Sequence, residues 1–291
     1  MVTLERDGVN ANSPMLKNIK KTREDINTYE NKNITQPDRN VGKPMRAQAW
    51  TTFIYYLAIL CGGLFARQHN HRTFPPITEA YLWATRFSMN EWRKYKSRKV
   101  YAQIEQEKPS YFVFALQLSE DYQIRAHSEF RSTAETIRLV MQNFSAHAPK
   151  DKMLIIKNHP LDNGKVNYAK IIRNMGEDLN IEERILYVES GSLIHLLNNA
   201  SGLVCVNSTS GLQSIHRDIP TKTIAPAIYN FAELVDTKPL DKFWKKPKPP
   251  QTGFYKNFRK YLIDKNQING SFYSHKGLRI LIPKAVQKLT K

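Results

Sequence analysis

The sequence predicts an α/β fold on a mainly parallel sheet, and two patterns carry that reading. Short apolar runs at Tyr111–Leu118, Met153–Lys157, Ile185–Val188, Gly202–Val206 and Thr221–Ala225 alternate with helical segments. Polar clusters then follow directly on such runs, the place where open α/β sheets receive ligands.

Residues 1–48 are polar, rich in Asn and Lys, and lack sustained periodicity. The apolar stretch 49–66, AWTTFIYYLAILCGGLFA, is read as a buried helix, with interfacial and spanning helices as alternatives. A basic, aromatic stretch follows, helical from Ile77 onward. There Trp83, Phe87 and Trp92 share a helical spacing and Arg93–Lys99 would face solvent.

Tyr111–Leu118 (YFVFALQL) is short, apolar and bounded by polar residues, as a buried strand requires. The helix over Ser128–Ala146 gathers Ile137, Val140, Met141 and Phe144 on one side. Further helices are expected at Tyr168–Leu179, Ser192–Asn199 and Gly211–Arg217, each between two strands. Lys238–Pro250 contains four prolines, which exclude a regular helix and suggest an exposed, partly rigid connection. Helices are expected again at Gly253–Asp264 and Leu278–Leu289. The chain thus divides into an incomplete N-terminal region with a helical segment (1–104), a Rossmann-like domain (105–235), and a basic linker with C-terminal helices (236–291).

Against 26 acidic residues stand 44 Lys and Arg, a net charge of +18, so the protein's field draws anionic partners. Nucleic acid, an anionic membrane surface and a phosphorylated small substrate all fit that charge. No recognition helix or aromatic RNA-binding motif is evident, and nucleic acid is not expected as a partner. Cys61 and Cys205 both lie in apolar runs, which points to buried thiols and a reducing compartment. DxD, HExxH and paired-cysteine patterns are absent, and no metal site is expected.

Three clusters can carry chemistry. Asn207-Ser208-Thr209-Ser210-Gly211 joins a strand to a helix, where unpaired helix-start amides and hydroxyls can receive phosphate or carboxylate oxygens. Ordinary N-capping by one of these hydroxyls is the alternative. Lys157-Asn158-His159-Pro160 follows MLIIK. Lys157 can neutralise a phosphate, and His159 can donate to one or act as an acid, unless this is a plain surface loop. Gln117–Gln123 (QLSEDYQ) follows the first strand and offers Asp121 as nucleophile or base, or simply as a solvated carboxylate. Glu189 stands just beyond the third strand.

With these clusters in order, the chain resembles the capsule polysaccharide biosynthesis family, and within it the β-Kdo glycosyltransferases formerly called capsule polysaccharide export proteins. The matching segments are QLSEDYQIRAHSEF (117–130), KNHPLDNG (157–164), VNSTSGLQSIHRDIPTKTIAPAIYN (206–230) and VTLERDGVNANS (2–13). The resemblance implies the Rossmann-like C-terminal half of a GT-B-like glycosyltransferase, with additional helices, and an N-terminal half that is largely missing. It implies transfer of Kdo from CMP-Kdo to a phospholipid or glycolipid acceptor, without a cofactor.

By the same resemblance Asp121 and His159 are catalytic. Gln117, Lys157, Glu189, Asn207, Ser208, Thr209, Ser210 and Gly211 would bind the donor, with Glu189 accepting hydrogen bonds from a ribose or base. A lipid-linked acceptor implies a cytoplasmic protein peripherally attached to the inner membrane. Lys242, Lys245, Lys246, Lys248, Lys256, Arg259 and Lys260 would then face anionic lipid. The other reading is a noncatalytic partner of the capsule assembly and export proteins.

Overall fold

The computed structural model describes residues 76–118, 128–263 and 275–290, with positions 23, 26, 54, 268 and 270. Asp121 and the apolar stretch 49–66, apart from Ile54, lie outside the described residues. Two compact units divide the chain, one built on Tyr81–Tyr255 and the other on Asp7–Ala80 with Lys256–Lys291. No helix among the described residues is long and apolar enough to cross a membrane.

The elements run α1 (Pro76–Ser88), α2 (Asn90–Glu107), β1 (Ser110–Ala115), α3 (Thr133–His147), β2 (Lys152–Lys157), α4 (Tyr168–Asp178), β3 (Ile185–Val188), α5 (Leu193–Leu197), β4 (Gly202–Cys205), α6 (Ser210–Ile215), β5 (Thr221–Thr223), α7 (Leu240–Phe243), α8 (Thr252–Tyr261) and α9 (His275–Leu289). The five strands pair in the order β3-β2-β1-β4-β5, and each pairing is parallel. The α/β class read from the sequence is therefore the observed one. This order is Rossmann-like: the chain builds outward from β1 to β3, then crosses back to lay β4 on the other side of β1.

Alternation along the strands sorts two cores. Phe112, Phe114 and Leu116 of the β1 segment join Leu154 and Ile156 beneath α3 and α4, which contribute Ile137, Val140, Met141, Phe144, Tyr168 and Ile172. On the other face Tyr111, Val113 and Ala115 join Ile155, Leu203 and Cys205 beneath Leu196, Leu197 and Ile104. The helices start where polar side chains can close them. Ser132 accepts from the Glu135 amide at 3.3 Å, and Asn167 accepts from the Lys170 amide at 3.0 Å.

Two expectations need correction. Lys238–Pro250 is not an exposed connection. Its prolines do exclude a long helix, but Phe243 and Trp244 between them are buried in the first core. The Trp244 ring meets Phe112 edge-on at 5.0 Å and Phe144 at 5.3 Å, and its indole N–H donates to Asn143 Oδ1 at 2.7 Å. Gly202 makes room for this anchor, since a Cβ there would lie 2.7 Å from the Phe243 ring. Buried Asp236 ties both ends of the segment, accepting from the amides of Lys238 at 2.9 Å and Lys248 at 2.8 Å. Second, Lys94, Lys96, Arg98 and Lys99 are exposed as expected, but Arg93 among these basic residues is not. Ser97 is buried and the Arg93 side chain is only 12% exposed, because α2 packs along the β3 edge of the sheet.

Replacing Trp244 with Ala removes an aromatic anchor together with its hydrogen bond. The expected loss is about 3–5 kcal/mol of stability, seen as a lower urea midpoint. A midpoint within error of the wild-type value would return this segment to the status of a linker.

Candidate functional site

The register decides which side chains meet at the carboxyl edge of the sheet. Ala115 stands opposite Lys157 on one side and opposite Cys205 on the other, so these three form one row across β2, β1 and β4. Gln117 and Asn207 each lie two residues beyond their row position and share its face. Adjacent strands are about 4.8 Å apart, so Lys157, Gln117 and Asn207 fall within about 10 Å across the sheet.

Gln117 and Asn207 close on each other at the point where strand order reverses. Gln117 Nε2 donates to Asn207 Oδ1 at 2.9 Å, and the Asn207 amide donates to Gln117 Oε1 at 2.9 Å. Thr133 Oγ1 donates to the Gln117 carbonyl at 3.1 Å, tying the start of α3 to the same point. Both amide side chains are buried. Such a reciprocal pair fixes the two crossover loops against one another.

The turn after Asn207 shows the hydroxyl capping that was the alternative to anion binding. Its helix-start amides are already engaged, Ser210 N by Ser208 Oγ at 3.1 Å and Gly211 N by the Ser208 carbonyl at 3.0 Å. The role of Gly211 also changes. A Cβ there would collide with the Tyr229 ring, whose hydroxyl donates to the Ser208 carbonyl. Gly211 therefore lets the tyrosine brace the turn, while exposed Thr209 and half-buried Ser208 remain at the surface. Burial pushes both the Tyr229 hydroxyl and the Cys205 thiol to higher pKa, so neither is primed as a nucleophile.

A second group forms beyond β2 and β3. Buried Lys157 donates to the carbonyls of Asn158 at 3.0 Å and Glu189 at 3.4 Å. Its pKa falls to about 8, first because burial penalises the ammonium and then because Arg86 is near. Asn158 Nδ2 donates to Asp162 Oδ2 at 3.0 Å, and Asn158 Oδ1 accepts from the His159 amide at 2.8 Å. His159 Nδ1 accepts from the Leu161 amide at 3.1 Å, which leaves the ring proton of the neutral form on Nε2. That tautomer is a hydrogen-bond donor, as phosphate recognition requires.

Glu189 lines the cleft and meets two arginines through one carboxylate oxygen. Its Oε2 lies 3.4 Å from Arg86 Nη1 and 3.6 Å from Arg93 Nε, while Asp162 Oδ2 lies 3.5 Å from Arg86 Nη1. The arginines come from α1 and α2, and α2 is fastened to the same edge. There Ser97 Oγ accepts from the Ser190 amide at 3.0 Å and Tyr101 OH donates to the Ser192 carbonyl at 2.9 Å. This group opens on a cleft of about 850 Å³, lined by residues of α2, the 158–170 region, α4 and β3. Asn158, Asp162 and Glu189 line it, whereas His159 and Thr209 are not among the lining residues.

The structure thus brings Gln117 to Asn207 and links Lys157, Asn158 and Glu189, while Asp121 falls outside the described residues. Sequence reading missed Arg86 and Arg93. They stand on two successive helices, and a basic helical stretch reads first as a solvated one. Among the described residues no group of His, Cys, Asp or Glu could hold a metal ion.

Residues 1–273 match the family model described as capsule polysaccharide biosynthesis protein. The chain is 34% identical over 210 residues to the capsule polysaccharide export protein KpsS of Escherichia coli, covering 72% of this chain and 54% of that protein. It is 30% identical over 281 residues to the capsule polysaccharide modification protein LipB of Neisseria meningitidis serogroup B, covering 94% of this chain and 66% of that protein. The chain therefore spans about half to two thirds of the length of these relatives. Among solved structures, KpsC of Thermosulfurimonas dismutans, a β-Kdo 2,7 transferase, aligns over 64% of this chain and 58% of that one, at 14% identity and a TM-score of 0.36. By the family match over residues 1–273, this chain belongs to the capsule polysaccharide biosynthesis family.

Proposed function

We propose that this chain carries the donor-binding half of a GT-B-like Kdo transferase, taking Kdo from CMP-Kdo to a lipid-linked acceptor at the cytoplasmic face of the inner membrane. The observation that carries the reading is the meeting of Gln117 and Asn207 at the reversal of strand order, with Lys157 on the same face. A crevice at that position is where doubly wound sheets bind nucleotides. Family membership supports the capsule context.

In this reading Lys157 and the Nε2–H of His159 neutralise and orient the phosphate of the donor, and the hydroxyls of exposed Thr209 and half-buried Ser208 add donors beside them. The Gln117–Asn207 pair shapes the floor. Asp121 attacks or stabilises the anomeric carbon of Kdo as CMP leaves. CMP is a good leaving group, which suits a site built from amide, hydroxyl and ammonium donors. Among the described residues the exposed Lys242, Lys245, Lys246 and Lys248 suit a negatively charged bilayer surface.

Turnover tests the reading most simply. The purified chain, given CMP-Kdo and a lipid-linked acceptor, is expected to release CMP and incorporate Kdo. Asp121→Ala is expected to abolish both while the far-UV circular dichroism stays unchanged. Full turnover by the correctly folded variant would remove Asp121 from the mechanism.

Lys157 supplies a pH test. In the fold it holds its proton up to only about pH 8, against an ordinary 10.5. Between those values the unfolded chain binds more protons, so stability rises with pH through that window, and the cost of the buried ammonium is fully present below pH 8. Anion binding runs the opposite way, because only the ammonium attracts phosphate. CMP affinity is expected to weaken as pH rises from 7 to 9. Lys157→Met is expected to lose about tenfold or more in affinity and to abolish that pH dependence. The same pH profile in wild type and variant would exclude Lys157 from phosphate binding.

A further inference from the structure

Among the described residues, the cleft beside β3 holds more positive charge than its carboxylates neutralise. Arg86, Arg93, Lys96, Lys99, Lys170 and Arg173 line it, against Asp162, Glu182 and Glu189. At its inner end the charges are largely shielded from water: Arg86 and Arg93 side chains are each 12% exposed, Asp162 11% and Glu189 23%. Buried Lys157 adds another cation beside them. Among the described residues, three cations against two carboxylates in so little solvent is a costly arrangement unless something anionic completes it.

The pairing geometry is loose. The ion-pair distances of 3.4, 3.5 and 3.6 Å exceed the roughly 2.8 Å of a tight charge-assisted bond. One carboxylate oxygen of Glu189 serves both arginines. A guanidinium has five N–H donors. The bonds made here, to Asp162, Glu189 and, from Arg93, the Arg86 carbonyl, leave part of each fork uncommitted among the described residues. Arg93 is also held below its usual pKa by burial and by Arg86, as expected where like charges crowd. The walls beyond the arginines are apolar or aromatic, with Met89, Trp92, Val166 and Tyr187.

We propose that Arg86 and Arg93 form a twin-arginine receptor for the phosphate of an organic phosphate ligand, whose body lies along the Met89–Trp92–Val166 wall. Glu189 is the resident counter-ion that the ligand displaces. This rests on reading the carboxyl edge as a site for anionic donors, and adds to it the residues from α1 and α2. It also reverses the role of Glu189: the carboxylate competes with the ligand and does not hold it.

Binding isotherms of the whole chain with three probes test the proposal: inorganic phosphate, CMP and hexyl phosphate. Wild type is expected to bind CMP or hexyl phosphate at least tenfold more tightly than inorganic phosphate. The tighter of the two identifies the body as a nucleoside or an alkyl chain. Arg86→Gln and Arg93→Gln are each expected to weaken the tighter probe about tenfold. Glu189→Gln is expected to strengthen it severalfold and to flatten its salt dependence less than the arginine variants do.

The sign of the Glu189→Gln effect survives a failure of either arginine variant to fold. A weaker probe in Glu189→Gln, or unchanged affinity in folded Arg93→Gln, would overturn the receptor. If CMP binds with no arginine dependence, the donor reading stands and the receptor falls. If only hexyl phosphate binds, and does so through the arginines, the receptor stands and CMP is not its ligand.

Discussion

The register of β1 between β2 and β4 is the constraint on which the rest depends. β1 is buried on both faces and is the central strand of the five. Ala115 is locked opposite both Lys157 and Cys205, so the side chains leaving the sheet at Gln117, Lys157 and Asn207 all emerge on one face. A slip of one residue would turn Gln117 toward the other face and bring Leu116 into its place. The apolar residues of both cores oppose that slip, because Phe112, Phe114 and Leu116 would exchange places with Tyr111, Val113 and Ala115. Packing of the interior and placement of the polar edge are therefore one problem with one solution.

Charge follows the same geometry. Among the described residues many lysines are solvent-exposed, where water screens their charge and where it acts at long range. Lys157, Arg86 and Arg93 are different, because the sheet end and α2 withdraw them from water. Withdrawn cations are costly alone and attract strongly when an anion arrives. The Gln117–Asn207 pair adds a neutral, doubly hydrogen-bonded group at the same edge.

Much of this was legible in the sequence. Five apolar runs separated by amphipathic segments give the parallel sheet, because strands buried on both faces must be continuously apolar. Polar residues directly after those runs mark the carboxyl edge, and Gln117, Lys157 and Asn207 were found that way. Three things were not legible. Phe243 and Trp244 sit among lysines and prolines, and nothing local tells an anchored aromatic pair from an exposed one. Gly211 reads as a ligand-facing glycine, yet its partner is Tyr229, eighteen residues on and brought back by the β5 segment. Arg86 and Arg93 belong to helices whose pattern resembles a solvated face, and only the packing of α2 on the β3 edge gives them a carboxylate and a cleft.

A crystal structure of the chain with CMP bound tests the central claim most directly. The account predicts the nucleotide at the carboxyl edge, its phosphate within hydrogen-bond reach of Lys157, His159 or the paired arginines, and the Gln117–Asn207 bonds intact beneath it. A nucleotide seated at the amino ends of the strands, or against β5 away from Lys157, would contradict it.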